Sequence, residues 1–375
     1  MSPTPLGILD LVPISSGSSA PEALRNSIDL AQQAERLGYA RYWFAEHHLN
    51  PGVAGTSPAV TLALTAAATS TIRIGAGAVQ LGHRTALSTV EEFGLIDALH
   101  PGRLDLGLGR SGGKPAAGRE PALVGGGTRV TDGWTDNGLR IPGKFSPAAL
   151  LASPRFVLQK TLLTQPDATP QNYTEQVGDI LDLLAGRYVK DGQEAHVVPG
   201  EHAAVQVWVL GSSGGESATV AGERGLRFGA NYHVSPGSVL EAVDGYRAAF
   251  RPSTELDRPY VTVSADVVVG PDEATARELA TGYALWVRSI RSGEGAIRFP
   301  TPDEARRHGW TDADRDLVTD RIETQFVGTA SQVADQLERL RDATGADELL
   351  VTTITHGHAD RVRSFALLAE EWDRR

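Results

Sequence analysis

Glu46-His47-His48 places a carboxylate and two imidazoles in consecutive positions. An imidazole exchanges protons near pH 7, which suits it to general acid–base work. Histidines that cap a helix or satisfy a core acceptor would leave the same trace, so both readings stand. A metal centre would need a third and a fourth ligand. The other eight histidines of the chain show no His-Glu-x-x-His or similar spacing, so no resident metal is expected.

Two glycine-rich segments could hold an anion. Gly107-Leu-Gly109-Arg-Ser-Gly112 fits G-x-G-x-x-G, although it leads into a loop and does not open a helix. It offers close backbone approach beside Arg110, whose planar fork suits a phosphate or a surface ion pair equally. Gly211-Ser-Ser-Gly-Gly215 lies between an apolar run and a helical pattern, where amides and hydroxyls gather at a helix N-terminus. The same five residues satisfy G-x-S-x-G, with Ser213 as the nucleophile of an esterase. Its acid would be Asp266 or Asp347 and its base His356 or His358, in the chain order such a triad requires.

Positioning these groups falls to an alternation of short apolar runs and amphipathic helices. Runs at 6–12, 42–45, 72–79, 104–108, 205–210, 227–230, 260–269 and 348–353 read as eight strands. Helical patterns at 58–69, 87–99, 216–224, 239–250 and 360–372 lie between or after them. Further helices open on Ser19-Ala-Pro-Glu22, Asn172-Tyr-Thr-Glu175 and Thr329-Ala-Ser-Gln332, each a capping-box signature. Eight βα units with right-handed crossovers close into a (β/α)8 TIM barrel, a single α/β domain over 1–375, although an open doubly wound sheet shows the same periodicity. Residues 111–170 break the rhythm with 9 Gly and 7 Pro, which predicts a long insertion after strand 4. It reads as a lid or as an irregular surface excursion.

Composition removes several classes of function. With no Cys among 375 residues there is no disulfide, thiolate metal site, iron–sulfur cluster or Cys nucleophile. A formal charge of −11 disfavours nucleic acid and anionic membranes as partners. The N-terminal residues have no basic, apolar leader pattern, and no run of about 18 apolar residues occurs, so a cytoplasmic location is expected.

Leu37-Gly-Tyr-Ala-Arg-Tyr-Trp-Phe-Ala-Glu-His-His48, Ser57-Pro58, Ile72-Arg-Ile-Gly-Ala-Gly-Ala-Val79 and His100-Pro-Gly-Arg-Leu-Asp-Leu-Gly-Leu-Gly-Arg110 together resemble the bacterial luciferase-like flavin monooxygenase family. Leu210-Gly-Ser-Ser213 and Gly345-Ala-Asp-Glu348 extend the resemblance over nearly the whole chain. It implies a barrel that binds reduced FMN at its C-terminal mouth, adds O2 at the flavin C4a carbon and oxygenates a small organic substrate. His47 matches the family's catalytic histidine. Gly77-Ala78 matches a non-prolyl cis peptide under the flavin ring, and Arg110, Gly211, Ser212 and Ser213 match the phosphate-binding positions. The resemblance also implies a homodimer and a separate flavin reductase. A deazaflavin-dependent hydride-transfer enzyme on the same barrel, the Ser213 esterase and a non-catalytic flavin-binding barrel are the other expectations.

Overall fold

Eight apolar segments pair edge to edge, every one in parallel, and the last returns to the first. The computed structural model describes residues 4–110, 132–169 and 171–375. The strands are β1 (Leu6–Asp10), β2 (Arg41–Phe44), β3 (Arg73–Ala76), β4 (Leu104–Gly109), β5 (Gln206–Gly211), β6 (Arg227–Asn231), β7 (Val261–Val269) and β8 (Glu348–Thr352). Two pairings decide between a barrel and an open sheet. Leu210 of β5 lies opposite Gly109 of β4 across the insertion, and Leu6 of β1 lies opposite Leu349 of β8. The sheet is therefore a closed (β/α)8 barrel without an exposed edge.

Eight helices pack around it: α1 (Ala20–Arg36), α2 (Pro58–Ala68), α3 (Ala86–Leu99), α4 (Tyr173–Leu184), α5 (Glu216–Glu223), α6 (Val239–Ala249), α7 (Ala330–Thr344) and α8 (His358–Trp372). Their starts follow local side-chain chemistry. Thr329 and Gln332 form a complete capping box at α7, whereas Glu22 gives only its backbone N–H to Ser19 while its carboxylate takes the Ser18 hydroxyl.

Alternate strand residues face opposite ways and build two cores. Ile8, Tyr42, Ile74, Leu106, Val209, Phe228, Val263 and Val351 pack outward against the helices. Leu9, Trp43, Trp208 and Leu350 fill the interior, where the two indoles meet edge to face at 5.0 Å. Below them Arg41 bridges Asp105 at 2.6 Å and also pairs with Glu348, so one buried cation ties β2, β4 and β8 together at the N-terminal end. No helix among the described residues is long and apolar enough to cross a membrane.

Two departures from the sequence pattern shape the other end. The run 72–79 is not one strand: it breaks at a cis Gly77–Ala78 peptide and resumes as Val79–Gln80, and both pieces pair with β4. In the expected insertion, 111–131 and 170 lie outside the described residues, and the remainder carries a small hairpin (Gly133–Trp134 with Arg140–Ile141) and helices Ala148–Leu151 and Pro154–Leu163. A second excursion, 271–325, follows β7. It holds helices Glu273–Ala280, Tyr283–Arg291, Pro302–Arg306 and Asp312–Glu323.

Candidate active site

The strand ends at the C-terminal face open into a cavity of about 260 Å³. Its walls are mainly apolar, from Leu9, Leu11, Trp43, Val53, Leu210 and Ile354, with Gly77 and Gly229 leaving backbone bare. At Gly77 an added Cβ would come within 2.9 Å of Leu9 and 3.1 Å of Trp43, so the strand end sits directly on the interior core. Any side chain there would also fill part of the hollow that the bare backbone leaves.

The three residues of the Glu-His-His triplet do different things. His47 lines the cavity half-buried, and its Nδ1 is buried without a hydrogen-bond partner. Burial, reinforced by the neighbouring His48 charge, pushes its pKa down to about 4, so the ring is neutral at pH 7. His48 turns away. Its Nε2 meets Glu46 Oε1 at 3.0 Å, and His83 Nε2 and Arg84 Nη2 reach the same oxygen at 3.0 and 3.2 Å. Burial works to raise the Glu46 pKa, but bonds from His48, His83 and the Gln80 amide and the Arg84 charge hold it near 2. His48 thus follows the core-satisfying reading, while His47 faces the hollow. The sequence offered no third metal ligand; the fold brings Glu46, His48 and His83 within 4.8 Å of one another. Arg84 on the same carboxylate oxygen already supplies the positive charge there.

Because β4 and β5 are neighbours, Gly109 and Leu210 lie opposite each other, which brings Arg110 and Gly211 to adjacent strand ends. Arg110 Nη1 pairs with Glu216 Oε2 at 3.1 Å, which draws the guanidinium to the first residue of α5. Ser212 and Ser213 are exposed on the loop before that helix, and Asn231 Nδ2 reaches Ser212 Oγ at 3.2 Å. Gly211 ends β5 beneath them.

The esterase arrangement has no counterpart. His356 Nε2 meets the Ser16 carbonyl and His358 Nε2 meets Asp29, while Asp347 binds Arg258 and Asp266 binds Arg321. Among the described residues no histidine hydrogen-bonds to Ser213.

Several lining groups were not legible in the sequence. His233 follows β6 as His47 follows β2; it is half-buried, its Nδ1 meets Ser264 Oγ at 2.6 Å, and desolvation together with the Arg321 charge lowers its pKa to about 3. The position just past a barrel strand was the available signal. Asn231 Oδ1 and Thr262 Oγ1 line the cavity without partners. Trp286, Ile290 and Arg321 come from the excursion 271–325. Among the described residues none of 132–169 lines the cavity, whereas Trp286, Ile290, Ala296 and Arg321 do; the rest of the expected lid, 111–131 and 170, lies outside the described residues.

The model of the luciferase-like monooxygenase family matches residues 4–123 and 176–348. A protein of Escherichia coli K12 described as a luciferase-like monooxygenase is 31% identical over 360 residues, which is 96% of this chain and 94% of that one. The solved structure of apo-MsnO8 aligns with a TM-score of 0.77 at 29% identity, over 98% of this chain and 97% of the other. Two more distant structures share the fold. The oxygenating constituent of 3,6-diketocamphane monooxygenase from Pseudomonas putida, solved with FMN, gives 0.65 at 18% identity over 99% of both chains. An F420-dependent secondary alcohol dehydrogenase, solved with an F420–acetone adduct, gives 0.60 at 16% identity over 99% of both.

Proposed function

This chain belongs to the luciferase-like monooxygenase family, and from that we propose that it is an FMN-dependent monooxygenase that oxygenates a small organic substrate. One observation carries the reading: His47, neutral and with an unpartnered Nδ1, faces the same cavity as the bare backbone of Gly77, at the barrel end where Arg110 and Ser212–Ser213 stand together. The residues fit the cofactor. The mainly apolar hollow, with the unpartnered Asn231 Oδ1 and Thr262 Oγ1 in its wall, suits a ring with polar edges, and the exposed Arg110 and serine loop suit a phosphate at the mouth.

Reduced FMN bound there supplies the electrons that activate O2 for transfer of one oxygen atom. The protein's part is positional and protonic. Arg110 and the hydroxyls of Ser212 and Ser213 would hold the phosphate, and the backbone of Gly77 and Ala78 would line the space for the ring. A neutral His47 would accept a proton on its imidazole and return it within the turnover. Leu9, Leu210 and Trp286 keep water from the reacting atoms. A separate flavin reductase and a homodimer complete the reading.

The purified protein is mixed anaerobically with reduced FMN and, separately, with reduced deazaflavin, and O2 is then admitted. Tight FMN binding, with reoxidation kinetics distinct from those of free reduced FMN, is expected. Preference for the deazaflavin with no O2 reaction overturns the reading in favour of hydride transfer. Binding of FMN with unchanged reoxidation leaves a flavin-binding barrel without oxygenation.

A further inference from the structure

One end of the cavity is not used by His47. There Arg321 is 7% exposed and lines the hollow from helix Asp312–Glu323. Its Nη2 donates to Asp266 Oδ2 at 3.0 Å and to the Tyr283 hydroxyl at 2.7 Å, and its Nε donates to the same hydroxyl at 3.1 Å. Among the described residues Nη1 has no acceptor. Trp286 lines the same cavity, and its Nε1 is buried without a partner. Tyr283 links the two, with its ring stacked on Trp286 at 6.4 Å and the Arg321 guanidinium 5.6 Å from its centre.

Guanidinium and indole N–H groups only donate. Whatever fills this end must therefore accept. An apolar substrate would seal Arg321 Nη1 away from water as Trp286 Nε1 already is, and each buried unsatisfied donor costs about 1–3 kcal/mol. A group with two acceptor oxygens and a negative charge answers both donors and the cation at once. Asp266 does not already fill the role, because its bond is to Nη2 and the Nη1 edge of the fork remains unused.

We propose that the substrate is an organic carboxylate, held by Arg321 Nη1 and Trp286 Nε1, with its apolar body along Leu11, Val53, Ile290 and Ile354. The inference rests on the monooxygenase reading for the reaction. The carboxylate recognition itself is a property of the protein alone and is tested without turnover.

The probes are 3-phenylpropanoate and 3-phenylpropanamide, which share a shape and differ in charge. They are titrated calorimetrically into the flavin-free protein, and reduced FMN is titrated separately under nitrogen. The acid is expected to bind at least ~10-fold more tightly than the amide. Trp286→Phe keeps the shape, removes one donor and should narrow that ratio several-fold through the acid alone. Arg321→Met combined with Asp266→Asn removes both charges together, leaves no unpaired buried ion and should erase the preference. Should that pair fail to fold, the wild type and Trp286→Phe decide the matter. Equal affinities, a preference for the amide, or no acid binding up to ~10 mM overturns the inference. Acid preference without FMN binding overturns the flavin reading alone, and FMN binding without acid preference overturns the carboxylate alone.

Discussion

Glu46 and Gln80 are joined twice: the Gln80 amide donates to Glu46 Oε2 at 2.9 Å, and Gln80 Nε2 donates to the Glu46 carbonyl at 2.5 Å. The carboxylate beside His47 is thereby fixed to the strand end that follows Gly77–Ala78. His48, His83 and Arg84 converge on its other oxygen. Glu46→Ala would strip all of them of their acceptor, and a loss of about 3–5 kcal/mol is expected, read as a lowered denaturant midpoint. A change below about 1 kcal/mol would show that the hub does not hold the strand ends.

The same hub gives a pH signature. The folded pKa of Glu46, about 2, lies below its ordinary 4.5, so its stabilisation is complete above pH 4.5 and is lost as pH falls toward 2. His47, at about 4 when folded against 6.5 in the open chain, acts in a higher window: the unfolded state takes up the proton first, so stability declines as pH falls from 6.5 to 4. Each contributes a slope of about 1.4 kcal/mol per pH unit within its window. Equilibrium unfolding across pH should show Glu46→Gln flattening the lower window and His47→Gln the upper one.

His47→Ala should leave reduced FMN binding within about twofold and lower oxygenation about a hundredfold. Rapid mixing with O2 measures both. An unchanged turnover would remove His47 from the proton chemistry.

Arg110, just past the C-terminal end of β4, pairs with Glu216. Arg110→Ala should weaken reduced FMN roughly 10- to 100-fold and reduced riboflavin far less, because only FMN carries the phosphate. Glu216→Gln frees the guanidinium and should tighten FMN. Fluorescence titration of the two flavins separates these outcomes, and parallel losses for both flavins would assign Arg110 to structure alone.

At the opposite end of the barrel, Arg41 holds Asp105 and Glu348 in a buried network. Arg41→Leu leaves two carboxylates without their common cation and should cost about 3–5 kcal/mol in chemical denaturation, with little effect on flavin affinity. A weakened flavin affinity without loss of stability would contradict this division between the two ends.

The eight strands, their helices and the clusters at 46–48, 107–112 and 211–215 were legible in the sequence because they depend on local chemistry: apolar runs of strand length, capping residues and glycines at strand ends. The divergence of His47 and His48 was not legible, since consecutive side chains past a strand end are directed by what surrounds them, here Gln80, His83 and Arg84 on one side and a hollow on the other. The excursion 271–325 was missed although Thr301-Pro-Asp-Glu304 and Thr311-Asp-Ala-Asp314 both form capping boxes. Its helices are short, and the bond that ties it to Asp266 joins positions 55 residues apart. Which strand edges meet was likewise a tertiary decision. Periodicity fits an open sheet as well as a barrel, and only the pairing of Leu210 with Gly109 and of Leu6 with Leu349 closes the ring and sets the two glycine-rich loops beside each other.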